Sequence, residues 1–227
     1  VIPCYYSEKT IRKVVELVMA EFEKNDGYEC EFVLVNDGST DHTFEEIQKL
    51  GAQYPNVCGV NLMRNFGQHN ALMAALHYAK GDYVLGMDDD LQTHHKKKNS
   101  WMKNLTSKIN EVTSRVMLNR PREIVSSNFW IITRAVQKEV IKYDSFNPYI
   151  DGVFYRVTHR IGNVPVEHFK REVGTSGYTL KKLINLWLRY WNFSVIPLRI
   201  SFFLGLFSGL AGVIIAVLIV VNKIIYP

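Results

Sequence analysis

The C-terminal end of the chain carries the feature that most restricts its fold. Residues 200–221 (ISFFLGLFSGLAGVIIAVLIVV) contain no charged side chain. As an α-helix this run would be about 33 Å long, and the hydrocarbon core of a bilayer is about 30 Å thick. The alternative, a buried helix of a soluble domain, rarely extends this far without a charge. We therefore predict a transmembrane helix at 200–222.

The segment just before this span is typical of a helix that lies in the membrane interface. Within residues 179–199, apolar residues including Trp187 and Trp191 recur at helical spacing, and basic residues occupy other positions of the wheel. Only Lys223 follows the span, whereas several basic residues precede it: Lys181, Lys182, Arg189 and Arg199. The positive-inside bias then predicts that the N-terminal domain, residues 1–178, is on the cytoplasmic side of the inner membrane.

Composition excludes several classes of protein. Of 227 residues, 47% are hydrophobic and 22% charged, which excludes a disordered chain. The net charge of +5 suits an anionic membrane face or substrate, but it is too diffuse to indicate nucleic-acid binding. Cys4, Cys30 and Cys58 lack the spacing of a zinc or redox motif, so we expect reduced thiols in the cytosol.

The first 90 residues alternate between strand and helix patterns. Apolar residues at 3.6-residue spacing predict a helix from Ile11 to Phe22, and Thr43 and Glu46 have the spacing of a capping box at the next helix. A third helix is predicted at 68–79. The predicted strands lie at 1–2, 31–35, 57–62 and 82–87. This order predicts an α/β domain with a parallel sheet and helices on both faces.

Polar clusters follow each predicted strand. Ligands of parallel α/β sheets bind beyond the carboxyl ends of the strands, where these clusters would meet. The chain contains neither GxGxxG nor GxxxxGK[ST], so a Rossmann dinucleotide enzyme and a P-loop NTPase are both disfavoured. The clusters lie at 3–8, 36–41, 64–69 and 88–92.

Three adjacent carboxylates end the fourth predicted strand. Residues two apart in an extended segment face one side, so Asp88 and Asp90 can converge while Asp89 points away. With the amide oxygen of Gln92, these hard donors predict a Mg²⁺ or Mn²⁺ site. The alternatives are a solvated acidic turn and a zinc site using the histidines at 94–95, which have no thiolate or HExxH partner.

Several motifs resemble one enzyme family in content and order. IPCYYSEKTI, VLVNDGSTD, RNFGQHNALMAAL and MDDDLQ are similar to the nucleotide-sugar half of family-2 glycosyltransferases. HFKREVGTSGYTLKKLINL, followed by PLR and a membrane span, resembles the polyprenyl-phosphate glycosyltransferases. This group includes dolichyl-phosphate mannose synthase and bacterial undecaprenyl-phosphate aminoarabinose and glucose transferases.

The resemblance implies a GT-A fold, an inverting transfer of sugar and a set of donor-binding residues. The nucleotide would be UDP rather than GDP, and Mg²⁺ or Mn²⁺ would be held with the diphosphate by Asp88, Asp90 and Gln92. Asp37 would hydrogen-bond the base. Residues implied to bind the nucleotide-sugar are Pro3, Tyr5, Glu8, Asp37, Arg64, Gly67, Asp88 and Asp89.

The resemblance also implies an acceptor site for a polyprenyl phosphate, undecaprenyl phosphate in bacteria. An R-x-x-G-x-S-x-Y stretch would close over the site, and it comprises Arg171, Gly174, Ser176 and Tyr178. Arg171 would clamp the lipid phosphate with help from Ser176, unless it is only a surface cation near anionic lipid. Ser127 and Asn128 stand where some relatives have an aspartate and could orient the acceptor without deprotonating it.

The catalytic roles implied by the resemblance require no strong base, because a lipid phosphate is largely ionised at neutral pH. Asp88, Asp90, Arg171 and Ser176 would act by positioning and by stabilising the leaving diphosphate.

The chain departs from the family in two places. Residues 92–100 contain no apolar side chain, and we expect a family segment to be absent between His94 and Lys98. A second membrane helix, common in the family, would lie beyond this sequence, and relatives often form tetramers.

Two other functions remain open. A processive glycan synthase of the same superfamily would carry QxxRW, which Arg189-Tyr190-Trp191 matches only superficially. A catalytically idle, membrane-anchored binding module would not need Asp88, Asp90, Gln92 and Arg171 together.

Overall fold

The chain is described here by a computed structural model that covers residues 1–25, 27–89, 111–118, 120–165 and 194–225. Residues 111–118 are helical. The strands are β1 (Ile2–Cys4), β2 (Phe32–Asn36), β3 (Val57–Asn61), β4 (Tyr83–Gly86) and β5 (Trp130–Thr133). The helices are α1 (Ile11–Glu23), α2 (Thr43–Gln53), α3 (Gln68–Tyr78), α4 (Arg134–Val140), α5 (Ile150–Val157) and α6 (Ile196–Ile225).

The strands form a three-stranded parallel sheet, β1 to β3, and a two-stranded antiparallel sheet, β4 and β5, and hydrogen bonds of Val1 join the two edges. β1 pairs in parallel with β2, and β2 with β3. The backbone nitrogen of Val1 donates to the oxygen of Leu85 at 2.7 Å, and Met87 donates back to Val1 at 3.3 Å. This is the pattern of parallel pairing, so β4 lies beside β1, and β5 adds antiparallel to β4. The order β3-β2-β1-β4-β5 confirms the predicted α/β sheet.

Each face of the sheet packs against its own apolar core. Alternate residues of β2 supply the two cores, because successive strand side chains point to opposite faces. Leu34 packs with Ile11 and Ile47 of α1 and α2. Val33 and Val35 pack on the other side with α3 and α5. The helical periodicity predicted for residues 11–22 is confirmed, since Ile11, Val14 and Val15 are all buried.

The capping box predicted at Thr43 is wrong. The residue that caps α2 is His42, which makes no side-chain capping bond. The Thr43 hydroxyl instead accepts from the backbone nitrogen of Ser7 at 2.8 Å and donates to Asp41 at 2.6 Å. Glu46 pairs with basic side chains of α1 and α2. The hydroxyl is thus used to tie the loop after β1 to α2.

Among the described residues, α6 is the helix that is long and apolar enough to cross a membrane. It has 30 residues, a mean hydropathy of 2.8 in its most apolar window, and no buried side chain in that window. The predicted helix at 200–222 is therefore present and begins earlier, at Ile196, where Pro197 suits the first turn. Residues 179–193, predicted as interface helix, lie outside the described residues.

Candidate active site

A cavity of about 300 Å³ lies beyond the carboxyl ends of the parallel strands. The loops after β1, β2, β3 and β4 all contribute to its wall, so the structure brings together four segments that are distant in sequence. The lining residues are Pro3, Cys4, Tyr5, Asp37, Asn65, Gly67, Gln68, Asp88 and Asp89. Carboxylates and amides dominate this list, and Tyr5 supplies a half-exposed aromatic ring.

Asp37 follows β2 and holds the loop after β3. Its side chain is only 3% exposed, and its two oxygens accept the backbone N–H groups of Phe66 at 2.8 Å and Gly67 at 2.9 Å. Burial raises the pKa of Asp37, and the two hydrogen bonds oppose that rise. The Asp37 carboxylate therefore fixes the position at which the loop after β3 enters the cavity.

Gly38 allows this close approach of two loops. It has φ +65°, and a Cβ built on it would lie 2.3 Å from the carbonyl carbon of Arg64 and 2.5 Å from the nitrogen of Asn65. Only glycine adopts this backbone conformation without steric cost. The same turn supports the loop after β1, because the Ser39 hydroxyl accepts from the nitrogen of Tyr6 at 3.1 Å.

Asp88 is held between two side-chain amides at the end of β4. Gln68 of α3 donates to one carboxylate oxygen at 2.8 Å, and Asn128 donates to the other at 2.7 Å. Amide donors on both oxygens fix the plane of the carboxylate.

Asp89 also lines the cavity, and its carboxylate accepts from the Ser7 hydroxyl. Although alternation along a strand would place Asp89 on the side away from Asp88, both residues line the cavity. Alternation between faces applies to extended strand, and β4 ends at Gly86, before the acidic run begins.

Two residues expected at the donor site, Glu8 and Arg64, are not among those that line the cavity. Glu8 accepts from the backbone nitrogen of His42 at 3.2 Å, near the beginning of α2, and is not in the cavity wall. The guanidinium of Arg64 stacks over the Phe66 ring, 4.7 Å from its centroid.

Among the residues predicted to bind the acceptor, Ser127 is described, and its hydroxyl accepts from the nitrogen of Phe129 at 3.1 Å. Asp90, Gln92, Arg171, Gly174, Ser176 and Tyr178 lie outside the described residues.

Sequence reasoning missed Asn65 and Gln68, although both lie inside the RNFGQ motif that it selected. The available signal was their place beside predicted site residues, because Asn65 lies between Arg64 and Gly67 and Gln68 directly follows Gly67. The bond from Asn128 to Asp88 joins residues 40 apart and had no local signal.

The donor atoms at this edge are of the class that a hard divalent cation prefers. Asp88 and Asp89 bring carboxylate oxygens to one cavity, and oxygen ligands suit Mg²⁺ and Mn²⁺. Within the described ranges, no group of three or more His, Cys, Asp or Glu side chains converges. The carboxylates of Asp88 and Asp89 are nevertheless of the right chemical class for such an ion. The other two predicted ligands, Asp90 and Gln92, lie outside the described residues.

Residues 1–162, which include β1 to α5, match the family model for Glycosyl transferase family 2. The chain belongs to this family. This family 2 glycosyltransferase is 30% identical over 99% of its length to undecaprenyl-phosphate 4-deoxy-4-formamido-L-arabinose transferase of Edwardsiella ictaluri, covering 76% of that protein. It is 27% identical over its whole length to the protein of the same name from Proteus mirabilis, covering 76% of it.

Solved structures give a weaker likeness. Residues 1–349 of S. aureus TarS, in complex with UDP, match with a TM-score of 0.45 and 24% identity. The match covers 68% of the glycosyltransferase described here and 52% of the TarS chain, so it spans about half of that structure. The resemblance to polyprenyl-phosphate glycosyltransferases and the GT-A-like fold, both predicted from the sequence, are confirmed.

Proposed function

We propose that this glycosyltransferase moves a sugar from a nucleotide-sugar, UDP-linked rather than GDP-linked, to the phosphate of a polyprenyl phosphate. The observation that carries the proposal is the extent of the match to relatives named for undecaprenyl phosphate. It covers 99–100% of the chain and therefore includes the apolar helix α6 as well as the sheet domain. A membrane helix in the same molecule would keep the catalytic domain beside a membrane-embedded acceptor.

The strand-end cavity supports the donor half of the proposal. It combines an aromatic ring at Tyr5 with the ordered carboxylates of Asp37, Asp88 and Asp89. A flat ring can stack against a base, and the remaining acceptor positions of Asp37 can receive hydrogen bonds from it. Asp88 and Asp89 then lie towards the diphosphate and the sugar.

The proposed reaction is a single displacement. An oxygen of the lipid phosphate attacks the anomeric carbon, the bond from that carbon to the nucleoside diphosphate breaks, and the configuration inverts. Since the phosphate is already an anion, no residue must remove a proton from it. The chain's contribution is then to position the reactants and to stabilise the charge that develops on the leaving group.

Particular side chains have separate tasks in this proposal. Asp88, Asp90 and Gln92 would hold Mg²⁺ or Mn²⁺, which when bound neutralises charge on the diphosphate. Gln68 and Asn128 keep the Asp88 carboxylate in one orientation. On the acceptor side, the lipid phosphate would be bound by Arg171, Ser176, Ser127 and Asn128.

We also infer where the reaction occurs. The basic residues on the N-terminal side of α6 favour a catalytic domain on the cytoplasmic face of the inner membrane, with residues 179–199 in the interface. The family resemblance also implies a homo-oligomer, and we propose a tetramer.

The test uses the purified full chain in detergent with undecaprenyl phosphate and a panel of labelled UDP- and GDP-sugars. We expect label in the organic phase from one UDP-sugar, its loss with EDTA, and its return when Mn²⁺ or Mg²⁺ is added in excess. Label from no donor would contradict the proposed function. Transfer that is unaffected by EDTA would contradict the metal assignment while leaving the reaction class intact.

A further inference from the structure

The segment 125–128 reaches the carboxylate oxygen of Asp88 that does not accept from Gln68 of α3. At one end, the side chain of Asn163 pairs with both backbone polar groups of Val125, at 2.8 and 2.9 Å. At the other end, Asn128 donates to Asp88 at 2.7 Å. An exposed segment of four residues is thereby tied down at each end, and its second end touches the carboxylate at the centre of the site.

The middle of this segment is held by Asp151. The Ser126 hydroxyl donates to the Asp151 carboxylate, and the Tyr149 hydroxyl donates to the same oxygen at 3.4 Å. Asp151 lies in the first turn of α5. Burial raises the pKa of Asp151, while the bonds from Ser126 and Tyr149 and the nearby charge of Arg120 oppose the rise.

The same turn of α5 also contacts the other amide that holds Asp88. Gln68 is followed in α3 by His69, whose ring lies against Tyr149 with centroids 4.8 Å apart. The His69 Nδ1 atom accepts from the backbone nitrogen of Ile150 at 3.4 Å. Both segments that deliver amides to Asp88 therefore rest on the beginning of α5.

We propose that Asp151 is a positioning residue for the sugar transfer, which acts by holding Ser126 so that Asn128 orients the Asp88 carboxylate. The inference rests on the proposed function. In this proposal Asp151 on α5 fixes the position of segment 125–128, and that segment fixes the orientation of the Asp88 carboxylate. A carboxylate suits the task because one oxygen can accept from Ser126 and Tyr149 together.

A purely structural role for Asp151 makes different predictions. An acid in the first turn of a helix stabilises that helix through its charge. Asp151→Asn removes the charge but keeps an oxygen that can accept from Ser126. If Asp151 serves only the helix, Asp151→Asn should therefore resemble Asp151→Ala, whereas a positioning residue should be rescued by asparagine.

The test is a set of double-mutant cycles on kcat/KM, measured with the donor that the full chain uses and undecaprenyl phosphate. We expect Asp151→Ala and Ser126→Ala each to lower kcat/KM about tenfold, and the double variant to be no lower than either. In an Asn128→Ala background neither change should lower it further. The kcat/KM of Asp151→Asn should lie within about threefold of that of the natural protein. Asp144→Ala, which changes an exposed acid before α5, is the matched control.

Ser126→Ala keeps the test valid if Asp151→Ala does not fold, because Ser126 is an exposed side chain. Additive losses, or full activity of Ser126→Ala, would overturn the proposal. A second measurement is independent of activity: the side-chain amide resonances of Asn128, assigned with Asn128→Ala, should shift in Ser126→Ala. Unchanged resonances would overturn the positioning role even in a chain that transfers no sugar, so its failure is distinct from failure of the proposed function.

Discussion

Asp88→Ala is expected to reduce sugar transfer about a thousandfold or more, while the chain still folds. The carboxylate is at the end of β4, faces the cavity and is fixed by amides from Gln68 and Asn128. Removing it leaves these two exposed amides free to bind water, which costs about 1 kcal/mol of stability. The loss should therefore appear in turnover and not in the melting temperature.

The matched control for this variant is Asp82→Ala. Asp82 is an exposed acid one residue before the same strand, at the end away from the cavity. Both variants lower the negative charge by one, so a general effect of charge would reduce both activities alike. If Asp88→Ala retained more than about a tenth of the natural rate, the assignment of the strand-end cavity as the active site would be wrong.

Gly38→Ala is expected to have the largest effect on stability. A methyl group here would lie 2.3 Å from the carbonyl carbon of Arg64, and φ is +65°, so the loops after β2 and β3 must separate. Strain of this kind costs about 3 kcal/mol, which corresponds to a fall in Tm of roughly 6–12 °C for a chain of this size. Separation would also move Gly67 away from Asp37, so the KM for the donor should rise.

Gly27→Ala controls for the loss of a glycine. Apart from its two chain neighbours, no heavy atom of the described residues lies within 4 Å of a Cβ built at Gly27. The Gly27→Ala variant should therefore melt within about 1 °C of the natural protein. Thermal melting followed by tryptophan fluorescence distinguishes the two variants. Equal melting temperatures would show that the two loops are not packed as closely as described.

Local pattern was enough to predict the frame of this site. Helical spacing identified the buried face of α1, and the runs of apolar residues identified β2, β3 and β4 within one or two residues. Because parallel strands end at one edge, the clusters that follow them could be predicted to meet. Asp37 and Asp88 were identified as site residues on this basis, and both line the cavity.

Other features of the site could not be predicted from the sequence, because they depend on contacts between distant residues or on where a strand ends. Asn128 contacts Asp88 across 40 residues, and no spacing rule links the two. The orientation of Asp89 followed from the end of β4 at Gly86. Thr43 had the spacing of a helix cap, but its hydroxyl bonds to Ser7 and Asp41 because the loop after β1 packs there.

The predicted absence of a segment between His94 and Lys98 falls outside the described residues and stays a prediction. The alignment with the P. mirabilis relative extends over 257 positions, whereas this chain has 227 residues. At least one segment of the relative thus has no counterpart here.

The mass of the lipid product tests the central claim most directly. The full chain in lipid nanodiscs would be given undecaprenyl phosphate and the donor that supports transfer, and the extracted lipid would be analysed by mass spectrometry. We predict one product, equal to the acceptor plus a single sugar and labile to mild acid, with one nucleoside diphosphate released for each molecule formed. A ladder of products with several sugars would contradict the account and indicate a processive synthase. Release of nucleotide without any modified lipid would contradict the assignment of the acceptor.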